Sequence, residues 1–374
     1  MNIAVDIRAL SNKKLTGIGK YIFHALENIL EQDKENKYYL FSSGLHPFPK
    51  ERLTFSGNFE YCHIKLPNKI LNFLLWANWF KLEKFLPKKM DLFWLPNLNF
   101  ARFEKETNYI LTIHDLSFLH SREFYSFRRR YWHKLVDVVY LLNNAKQVIS
   151  VSHNTKRDIL RFFPLDEKKI KIINPGVFRQ TLSENEAKKV LLKHKIDKKY
   201  FLYLGTLEPR KNIISIVKAF DHFHKEYPEY KLLIAGGRGW IYGHLLKNIK
   251  NKSHIHYLGY IDGLEKEALY SLCEAFIWPS FYEGFGFPPL EALAHYKPLI
   301  VSYKTSLPET IGANAIYVDP YNISDIYQAM LNVKNNPSLA KELENRAKKF
   351  TLATWPKQSE KILACFNSFK NNIN

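Results

Sequence analysis

A glycine-rich segment with a glutamate at each end carries the clearest chemical pattern in the sequence. Glu283 precedes the glycines, and Glu291 follows after seven intervening residues, in the first turn of a predicted helix. Carboxylates in these positions can accept hydrogen bonds from vicinal hydroxyl groups, while the loop amides and the helix N-terminus favour an anion. We therefore expect the amides of residues 286–290 to face a ligand that carries hydroxyl and phosphate groups. For Glu291 alone, the alternative is that it stabilises the dipole of its own helix.

Two cations form the second pattern. Gly205 directly follows a predicted strand at residues 201–204, and Arg210 and Lys211 precede the next helix. Ligands of open α/β sheets bind at the carboxyl ends of the strands. An arginine there can bridge two phosphate oxygens and a lysine adds a compact charge, so the pair predicts a diphosphate site. An Arg-Lys pair by itself is more often an exposed surface feature.

Two further motifs follow predicted strands in the first half of the chain. Gly17 and Gly19 lie between the first strand and the first helix, but Ile22 stands where a dinucleotide-binding fingerprint requires glycine. An ordinary strand-to-helix turn therefore remains the alternative for these glycines. His114 and Asp115 follow the strand at residues 110–113. A single histidine is often structural, and Asp115 can simply orient the imidazole or cap the next turn.

The elements that must position these residues alternate between strands and helices in both halves of the chain, which is typical of parallel sheets covered by helices. A length of 374 residues favours two domains. We predict two Rossmann-like domains that face each other across a cleft, at residues 1–178 and 179–354, with a C-terminal helix at about 355–374 packed back on the first. The predicted strands are residues 3–5, 38–41, 92–95, 110–113, 147–151, 201–204, 231–235, 256–258, 275–278 and 299–301.

Composition narrows the functional classes. Lys and Arg number 55 against 36 Asp and Glu, which gives a formal net charge of +19 and a surface that attracts polyanions. The three cysteines, Cys62, Cys273 and Cys365, are isolated, which favours a reducing cytoplasm and argues against a disulfide framework. The most apolar stretch, residues 70–80, contains two asparagines and is shorter than the ~20 residues that a membrane-spanning helix needs. We predict a cytoplasmic protein without a transmembrane span.

The basic segments of the first half of the chain allow two interpretations. An aromatic stretch at residues 70–76 precedes Lys81, Lys84, Lys88 and Lys89, and three arginines stand at 128–130. Such a segment can lie on the anionic inner face of a membrane as a peripheral contact, or it can be a packed helix with a solvated basic side. Nucleic acid is not an expected partner, because no zinc-binding or RNA-recognition pattern is present.

Together these motifs resemble the retaining, GT-B-fold glycosyltransferases of family 4, which include bacterial mannosyltransferases and lipopolysaccharide and polysaccharide hexosyltransferases. The two glutamates and the Arg-Lys pair carry the resemblance, and smaller motifs such as Gly259-Tyr260 follow in the family's order over most of the chain. One departure is His295-Tyr296, where relatives usually have a small residue and a glycine before the position of Lys297.

The resemblance implies roles for individual residues. The catalytic residues are implied to be His114, Arg210, Lys211 and Glu283. Tyr260 is implied to receive the nucleobase, Glu291 the ribose, and Glu283 the donor sugar. The implied donor-binding set is Gly17, Gly19, Gly205, Arg210, Lys211, Tyr260, Glu283, Gly284, Phe285, Gly286, Phe287 and Glu291.

The resemblance also implies a reaction. A hexose, with mannose from GDP-mannose as the leading candidate, would pass with retention to a saccharide or lipid-linked saccharide acceptor in surface polysaccharide or lipopolysaccharide synthesis. A UDP-, ADP- or dTDP-sugar donor is the alternative, and a basic nucleic-acid-binding protein is a remote one. No Asp-x-Asp motif occurs in the sequence, so we expect neither a metal ion nor another cofactor.

Overall fold

The computed structural model describes residues 1–11, 15–49, 52–120, 122–180, 182–196, 199–239, 243, 247, 249, 252–261 and 263–370. It divides into two compact units. The first unit comprises Met1–Leu116, Phe127–Gly176 and Ala353–Asn374, and the second comprises Ser117–Ser126 and Val177–Leu352.

The first unit is built on a seven-stranded sheet, within the described residues, in the order β3-β2-β1-β4-β5-β6-β7. All of its neighbouring strands pair in parallel. The strands are β1 (Asn2–Asp6), β2 (Lys37–Ser43), β3 (Phe59–Ile64), β4 (Leu92–Leu95), β5 (Tyr109–Ile113), β6 (Gln147–Ser150) and β7 (Ile170–Ile172).

Helices accompany this sheet. The helix Trp355–Asn367, from the end of the chain, packs on the first helix, Gly17–Gln32, and the Nε2 of Gln32 donates to the carbonyl of Pro356 at 3.1 Å. Residues 371–374 of the predicted terminal helix lie outside the described part of the chain. The other α-helices of this unit are Asn68–Trp76, Phe127–Leu135, Val138–Asn144 and His153–Phe162.

The second unit has a six-stranded parallel sheet in its described residues, in the order β10-β9-β8-β11-β12-β13. The strands are β8 (Lys199–Leu204), β9 (Tyr230–Ala235), β10 (Ile255–Gly259), β11 (Ala275–Trp278), β12 (Leu299–Ser302) and β13 (Ile316–Val318). The α-helices include Ser117–His120, Glu184–Lys193, Ile213–Glu226, Gly263–Leu272, Phe287–Ala294, Leu307–Ile311, Ile323–Asn335 and Pro337–Lys349.

Both sheets reverse their strand order beside their first strand, between β1 and β4 and between β8 and β11. At such a switch point the loops from neighbouring strands diverge, which leaves a crevice at the carboxyl ends where ligands bind. The central strands are buried on both faces, as helix-covered parallel sheets require. Each unit therefore offers one crevice that its own topology creates.

The structure corrects the predicted elements in several places. The sequence did not predict β3, β7 and β13. The last two are only three residues long, and β3 is a partly exposed edge strand in which only two of six residues are buried. The unit boundary falls after Gly176 rather than 178, and the segment Ser117–Ser126 belongs to the second unit although its neighbours in the chain belong to the first.

No helix in the described residues is long and apolar enough to cross a membrane.

Candidate functional site

Glu283 lies at the centre of a buried cluster of hydrogen-bond donors. The ammonium group of Lys211 donates to both of its carboxylate oxygens, at 2.7 and 2.9 Å. The indole Nε1 of Trp278 donates to Oε1 at 2.9 Å, and the guanidinium of Arg210 approaches Oε2 at 3.4 Å. Two cations and one neutral donor therefore hold a single carboxylate.

The switch point of the second sheet brings these residues together. Arg210 and Lys211 lie in a short helical turn, Pro209–Lys211, after β8, and Glu283 lies in the loop after β11, the strand beside β8. Two bonds join the loops, because Phe281 donates its backbone N–H to the carbonyl of Arg210 and Arg210 donates to the carbonyl of Tyr282, both at 2.9 Å. The cations and the carboxylate thus occupy the position that the topology assigns to a ligand.

The electrostatics of the cluster favour an ionised Glu283. Burial raises the pKa of this carboxyl, but the charges of Lys211 and Arg210 and the hydrogen bond from Lys211 outweigh it and hold the pKa below its ordinary value. A carboxylate that accepts several charged hydrogen bonds is strongly stabilised in that form. Glu283 is therefore an acceptor for hydroxyl groups at neutral pH rather than a proton donor.

Gly205 is required by the packing of the same cluster. An added Cβ at this position would lie 2.4 Å from Cη2 of Trp278. The Trp278 ring stacks on Tyr203, with centroids 5.0 Å apart, and lies under the ammonium of Lys211 at 4.7 Å. A side chain at residue 205 would displace the indole that donates to Glu283. The structure thus assigns Gly205 a packing role, in addition to the donor contact that the sequence predicts.

Glu291 has separate partners. Its Oε1 accepts from Lys266 at 2.9 Å and its Oε2 accepts from the hydroxyl of Tyr270 at 3.0 Å. Burial lowers the pKa of Lys266, but the charges of Glu291 and Glu267 outweigh it and raise the pKa above its ordinary value. The two glutamates of the sequence motif are therefore each held by a lysine, and no contact with Arg210 or Lys211 is found for Glu291 among the described residues.

The loop between the two glutamates is buried and ends in a helix with few open amides. Gly286 is the N-cap of the helix Phe287–Ala294 and has a φ of 93°, a left-handed conformation that favours glycine. Prolines 288 and 289 have no N–H, and the N–H of Leu290 already bonds to the carbonyl of Gly286 at 3.4 Å. Within residues 286–290, Pro288 and Pro289 therefore have no amide to offer and Leu290 already has an acceptor, and the expectation that the remaining amides face a ligand stays a prediction.

The predicted residues of the first unit lie at the carboxyl edge of its sheet. The helix Gly17–Gln32 begins at Gly17, and Thr16 caps it by accepting a hydrogen bond from the N–H of Gly19 at 3.4 Å. An added Cβ at Gly17 would meet no atom within 4 Å. Packing within the described residues therefore does not explain this glycine, whereas close approach of a ligand would.

His114 follows β5 and is held in one orientation. Its Nε2 donates to the carbonyl of Pro96 at 2.8 Å, and its ring meets the edge of Tyr21 with centroids 4.6 Å apart. Because Nε2 carries the proton, Nδ1 is the acceptor in the neutral ring. Burial lowers the pKa of His114 despite the opposing effects of Pro96 and Asp115, so the neutral imidazole is favoured.

Tyr260 follows β10 at the carboxyl edge of the second sheet, and its ring lies 3.7 Å from the position of an added Cβ at Gly237. Phe285 and Phe287 contact each other, with centroids 5.3 Å apart. The roles that the resemblance implies for Tyr260, Gly284, Phe285 and Phe287 stay predictions.

Besides Tyr270, sequence reasoning missed four contributors. Trp278 and Lys266 donate directly to the two glutamates, and Glu208 accepts from Nε of Arg210 at 3.0 Å. Phe124, from the segment Ser117–Ser126, stacks on Phe281 with centroids 5.2 Å apart and an interplanar angle of 14°. Trp278 ends a predicted strand next to the motif and could have been found, but the other three carry no local signal.

No group of three or more His, Cys, Asp or Glu side chains that could hold a metal ion occurs in the described part of the chain.

Comparisons with known proteins agree with this architecture. The family model Glycosyltransferase Family 4 matches residues 17–180, and the model Glycosyl transferases group 1 matches residues 184–350. O-antigen chain mannosyltransferase B of Escherichia coli is 32% identical over 225 residues, which cover 58% of this chain and 58% of that protein. The alignment thus spans less than two thirds of that relative.

Solved structures share the fold along nearly the whole chain. Sucrose-phosphate synthase from Thermosynechococcus elongatus has a TM-score of 0.75 at 17% identity, with 98% of both chains covered. Anabaena HepE in complex with UDP-glucose has a TM-score of 0.72 at 15% identity, with 98% of this chain and 100% of that chain covered. With a family model on each half and parallel Rossmann-like sheets in both units, the chain belongs to the family 4 glycosyltransferases and has their GT-B fold.

Proposed function

We propose that this chain is a retaining hexosyltransferase that uses a nucleotide-diphosphate sugar, binds the donor mainly on its second unit, and needs no metal ion or other cofactor. The observation that carries the proposal is the cluster of Arg210, Lys211 and Glu283 at the switch point of the second sheet. It combines two cations suited to a diphosphate with a carboxylate suited to sugar hydroxyls.

Donor binding must rearrange this cluster, because the carboxylate of Glu283 has little acceptor capacity left. A carboxylate offers about four lone-pair sites, and Lys211, Trp278 and Arg210 already direct four contacts at them. The contact with Arg210, at 3.4 Å, is the longest and weakest of the four. We propose that Arg210 leaves Glu283 for the diphosphate, and that a sugar hydroxyl takes its place on Oε2.

The chemical step then needs only groups that the donor and the protein supply. The acceptor hydroxyl forms the new glycosidic bond on the same face from which the diphosphate leaves, and its proton passes to a departing phosphate oxygen. Arg210 and Lys211 stabilise the negative charge that develops on the diphosphate as the old bond breaks. Because these two cations can provide the charge stabilisation that a bound metal ion provides in other enzymes, we propose metal-independent transfer.

Glu291 completes the proposed donor site of the second unit, and the role that the resemblance implies for His114 of the first unit stays a prediction. In the neutral ring of His114, Nδ1 can accept a hydrogen bond from a hydroxyl group, because Nε2 donates to the carbonyl of Pro96. Glu291 suits the ribose hydroxyls, with Lys266 and Tyr270 fixing the direction of its two oxygens.

The donor base and the acceptor are proposed from the relatives. GDP-mannose and a saccharide or lipid-linked saccharide of surface polysaccharide are favoured by the similarity to O-antigen chain mannosyltransferase B. A UDP-sugar is the second candidate, because HepE of the same fold was solved with UDP-glucose. We place the reaction in the cytoplasm, since all three cysteines are buried and unpaired, as in reducing compartments.

A donor screen tests the proposal. The purified chain is heated with GDP-, UDP-, ADP- and dTDP-sugars, and the donor that raises the melting temperature is then used in a transfer assay with and without EDTA. We expect transfer that EDTA does not reduce, and a product whose anomeric configuration, assigned by NMR from the one-bond coupling between C1 and H1, matches that of the donor. Inversion at this carbon would refute the retaining mechanism, and loss of transfer with EDTA would refute metal independence.

A further inference from the structure

Five side chains of the second unit form a closed ring of contacts that includes Glu291. Lys266 and the hydroxyl of Tyr270 each donate to one oxygen of Glu291, at 2.9 and 3.0 Å. Lys266 also lies 3.2 Å from Oε1 of Glu267, whose Oε2 lies 2.7 Å from Nε2 of His295. The His295 ring stacks on that of Tyr270, with centroids 5.9 Å apart and an interplanar angle of 18°. His295 therefore supports both donors that hold Glu291, one through Glu267 and the other directly.

Two helices supply this ring of side chains. Lys266 and Tyr270 stand four positions apart on the helix that precedes β11. Glu291 lies on the helix that follows β11, and His295, four positions later, is the C-cap of that helix. Side chains at this spacing lie on one face of a helix. Because the two helices pack against each other, these two faces meet and close the ring.

The ring is buried except at Glu291. The side chains of His295 and Glu267 are each 5% exposed, and that of Lys266 is 11% exposed. Tyr270 is fully buried, whereas the side chain of Glu291 is 17% exposed. Exposure thus rises along the ring towards Glu291, so its carboxylate is the part most open to a ligand.

The charges of the ring give His295 a specific task, because Lys266 is one cation shared between two carboxylates. Burial raises the pKa of Glu267, but the hydrogen bond from His295 and the charge of Lys266 outweigh it and hold the pKa below its ordinary value. An ionised carboxylate only accepts hydrogen bonds, so Nε2 of His295 donates to it. A buried carboxylate that loses a donor is costly, so without His295 Glu267 would draw Lys266 away from Glu291.

Glu291 keeps acceptor capacity on both of its oxygens. A carboxylate offers about four lone-pair sites, and the described part of the chain directs one donor at each oxygen of Glu291. Within those residues, about one position per oxygen stays open. Two acceptors on one carboxylate match two hydroxyl groups on neighbouring carbons, which a ribose has and a 2′-deoxyribose lacks.

We propose that His295 and Glu267 are positioning residues that, through Lys266 and Tyr270, hold Glu291 in the orientation that accepts both ribose hydroxyls. The inference rests on the proposed function and deepens it, because it restricts the donor to ribonucleoside diphosphate sugars. A dTDP-sugar would leave one acceptor of a fixed carboxylate without a donor. A site built to bond a hydroxyl group rejects the analogue that lacks it, whereas a mobile carboxylate would turn to water and discriminate little.

Calorimetry with nucleoside diphosphates tests the inference on the wild-type chain. GDP, UDP and ADP are titrated first, and the one that binds most tightly is compared with its 2′-deoxy counterpart, which differs in a single hydroxyl group. We expect the ribonucleotide to bind about tenfold more tightly or better. Equal affinities within the pair would overturn the inference and leave the proposed function standing. If none of the three binds and no sugar is transferred, the proposed function fails and the inference fails with it.

Two variants of His295 test its hydrogen bond. His295→Phe keeps an aromatic ring against Tyr270 but removes the donor to Glu267, so the preference for the ribonucleotide should fall to about threefold or less. His295→Gln retains an N–H donor and should stay within about twofold of the wild-type preference. An unchanged preference in folded His295→Phe, or an equal loss in both variants, would overturn the role of this hydrogen bond.

Tyr270→Phe tests the second support of Glu291 and remains informative if His295→Phe fails to fold. It removes only the hydroxyl group that donates to Oε2 of Glu291, so the ribonucleotide preference should again fall to about threefold or less. A wild-type preference in Tyr270→Phe would overturn the inference.

His254→Phe is the matched control. It removes a comparable bond in the same unit, between Nε2 of His254 and Oδ1 of Asp221 at 2.8 Å. His254 directly precedes β10 and so lies at the amino edge of the sheet, whereas the proposed donor site lies at the carboxyl edge. His254→Phe should therefore keep the wild-type preference. If it loses as much as His295→Phe, general destabilisation explains both results and the inference fails.

Steady-state kinetics separate positioning of the nucleotide from damage to the reaction. The ribose lies away from the bond that breaks, so His295→Phe should raise KM for the donor about fivefold or more and change kcat about twofold or less. A fall in kcat with an unchanged KM would overturn the proposed role of His295.

Discussion

Lys211 donates to both carboxylate oxygens of Glu283 at 2.7 and 2.9 Å, although the two residues lie 72 positions apart in the chain. Both side chains are nearly inaccessible to solvent. This pair joins the loop after β8 to the loop after β11, and therefore couples the stability of the second unit to the residues that we propose for the donor.

The first prediction concerns the stability that this pair provides. Glu283→Gln removes the negative charge and leaves Lys211 buried without a counterion, so the free energy of unfolding should fall by about 3 kcal/mol. Chemical denaturation of purified protein measures this change. Glu342→Gln is the control, because it breaks an exposed pair with Arg346 and should cost about 0.5 kcal/mol or less. Equal losses in the two variants would contradict the buried pair.

The second prediction compares two glycines. Gly205→Ala places a methyl group 2.4 Å from Cη2 of Trp278 and should lower the free energy of unfolding by about 1–3 kcal/mol. Gly17→Ala meets no atom within 4 Å and should leave stability nearly unchanged. If Gly17 lets the backbone approach the donor phosphates, Gly17→Ala should bind the donor more weakly than wild type does, although its stability is unchanged. Calorimetry measures this affinity. Normal donor affinity in Gly17→Ala would refute that role.

The third prediction separates the two glutamates. Glu291→Gln should raise the donor Kd about tenfold, because it weakens charge-assisted hydrogen bonds to the ribose while the Lys211 pair stays intact. Calorimetry gives the Kd, and initial rates should show a smaller effect on kcat than on KM. Lys266→Met should raise the Kd in the same direction, since Lys266 orients Oε1 of Glu291. A normal Kd in both variants would remove Glu291 from the donor site.

The fourth prediction concerns pH. Lys211 and Arg210 hold the pKa of Glu283 below its ordinary value of 4.5, so its contribution to stability is fully present above pH 4.5. That contribution is lost as the pH falls through the lowered pKa, because the unfolded chain then binds the proton more readily. Wild type should therefore lose more stability than Glu283→Gln between about pH 5 and about pH 3. Parallel curves for the two proteins would contradict an ionised Glu283.

The sequence predicts the α/β class and most central strands well, because buried parallel strands form apolar runs. It cannot predict β7 and β13, which are three residues long and whose pairing comes from the sheet as a whole. The helix Trp355–Asn367 packs on the first helix of the first unit, where a returning C-terminal helix was predicted. The cleft predicted between the two domains stays a prediction.

In the candidate site too, some residues could be predicted from the sequence and others could not. Arg210, Lys211 and Glu283 could be found because each stands beside glycine or proline signals directly after a strand. Lys266 could not be found, because a lysine in a helix usually faces solvent and only the folded structure shows it buried against Glu291. Phe124 could not be found either. Its segment, Ser117–Ser126, belongs to the second unit, although the residues on both sides of it in the chain belong to the first.

Transfer by wild type and by Glu283→Gln, compared at equal folded protein concentration, tests the central claim most directly. The assay measures hexose passed from the donor selected by thermal shift to a lipid-linked saccharide, with folding of each sample verified by circular dichroism. We predict that wild type transfers the hexose and that Glu283→Gln lowers kcat by about 100-fold or more. Undiminished transfer by the folded variant would contradict the site.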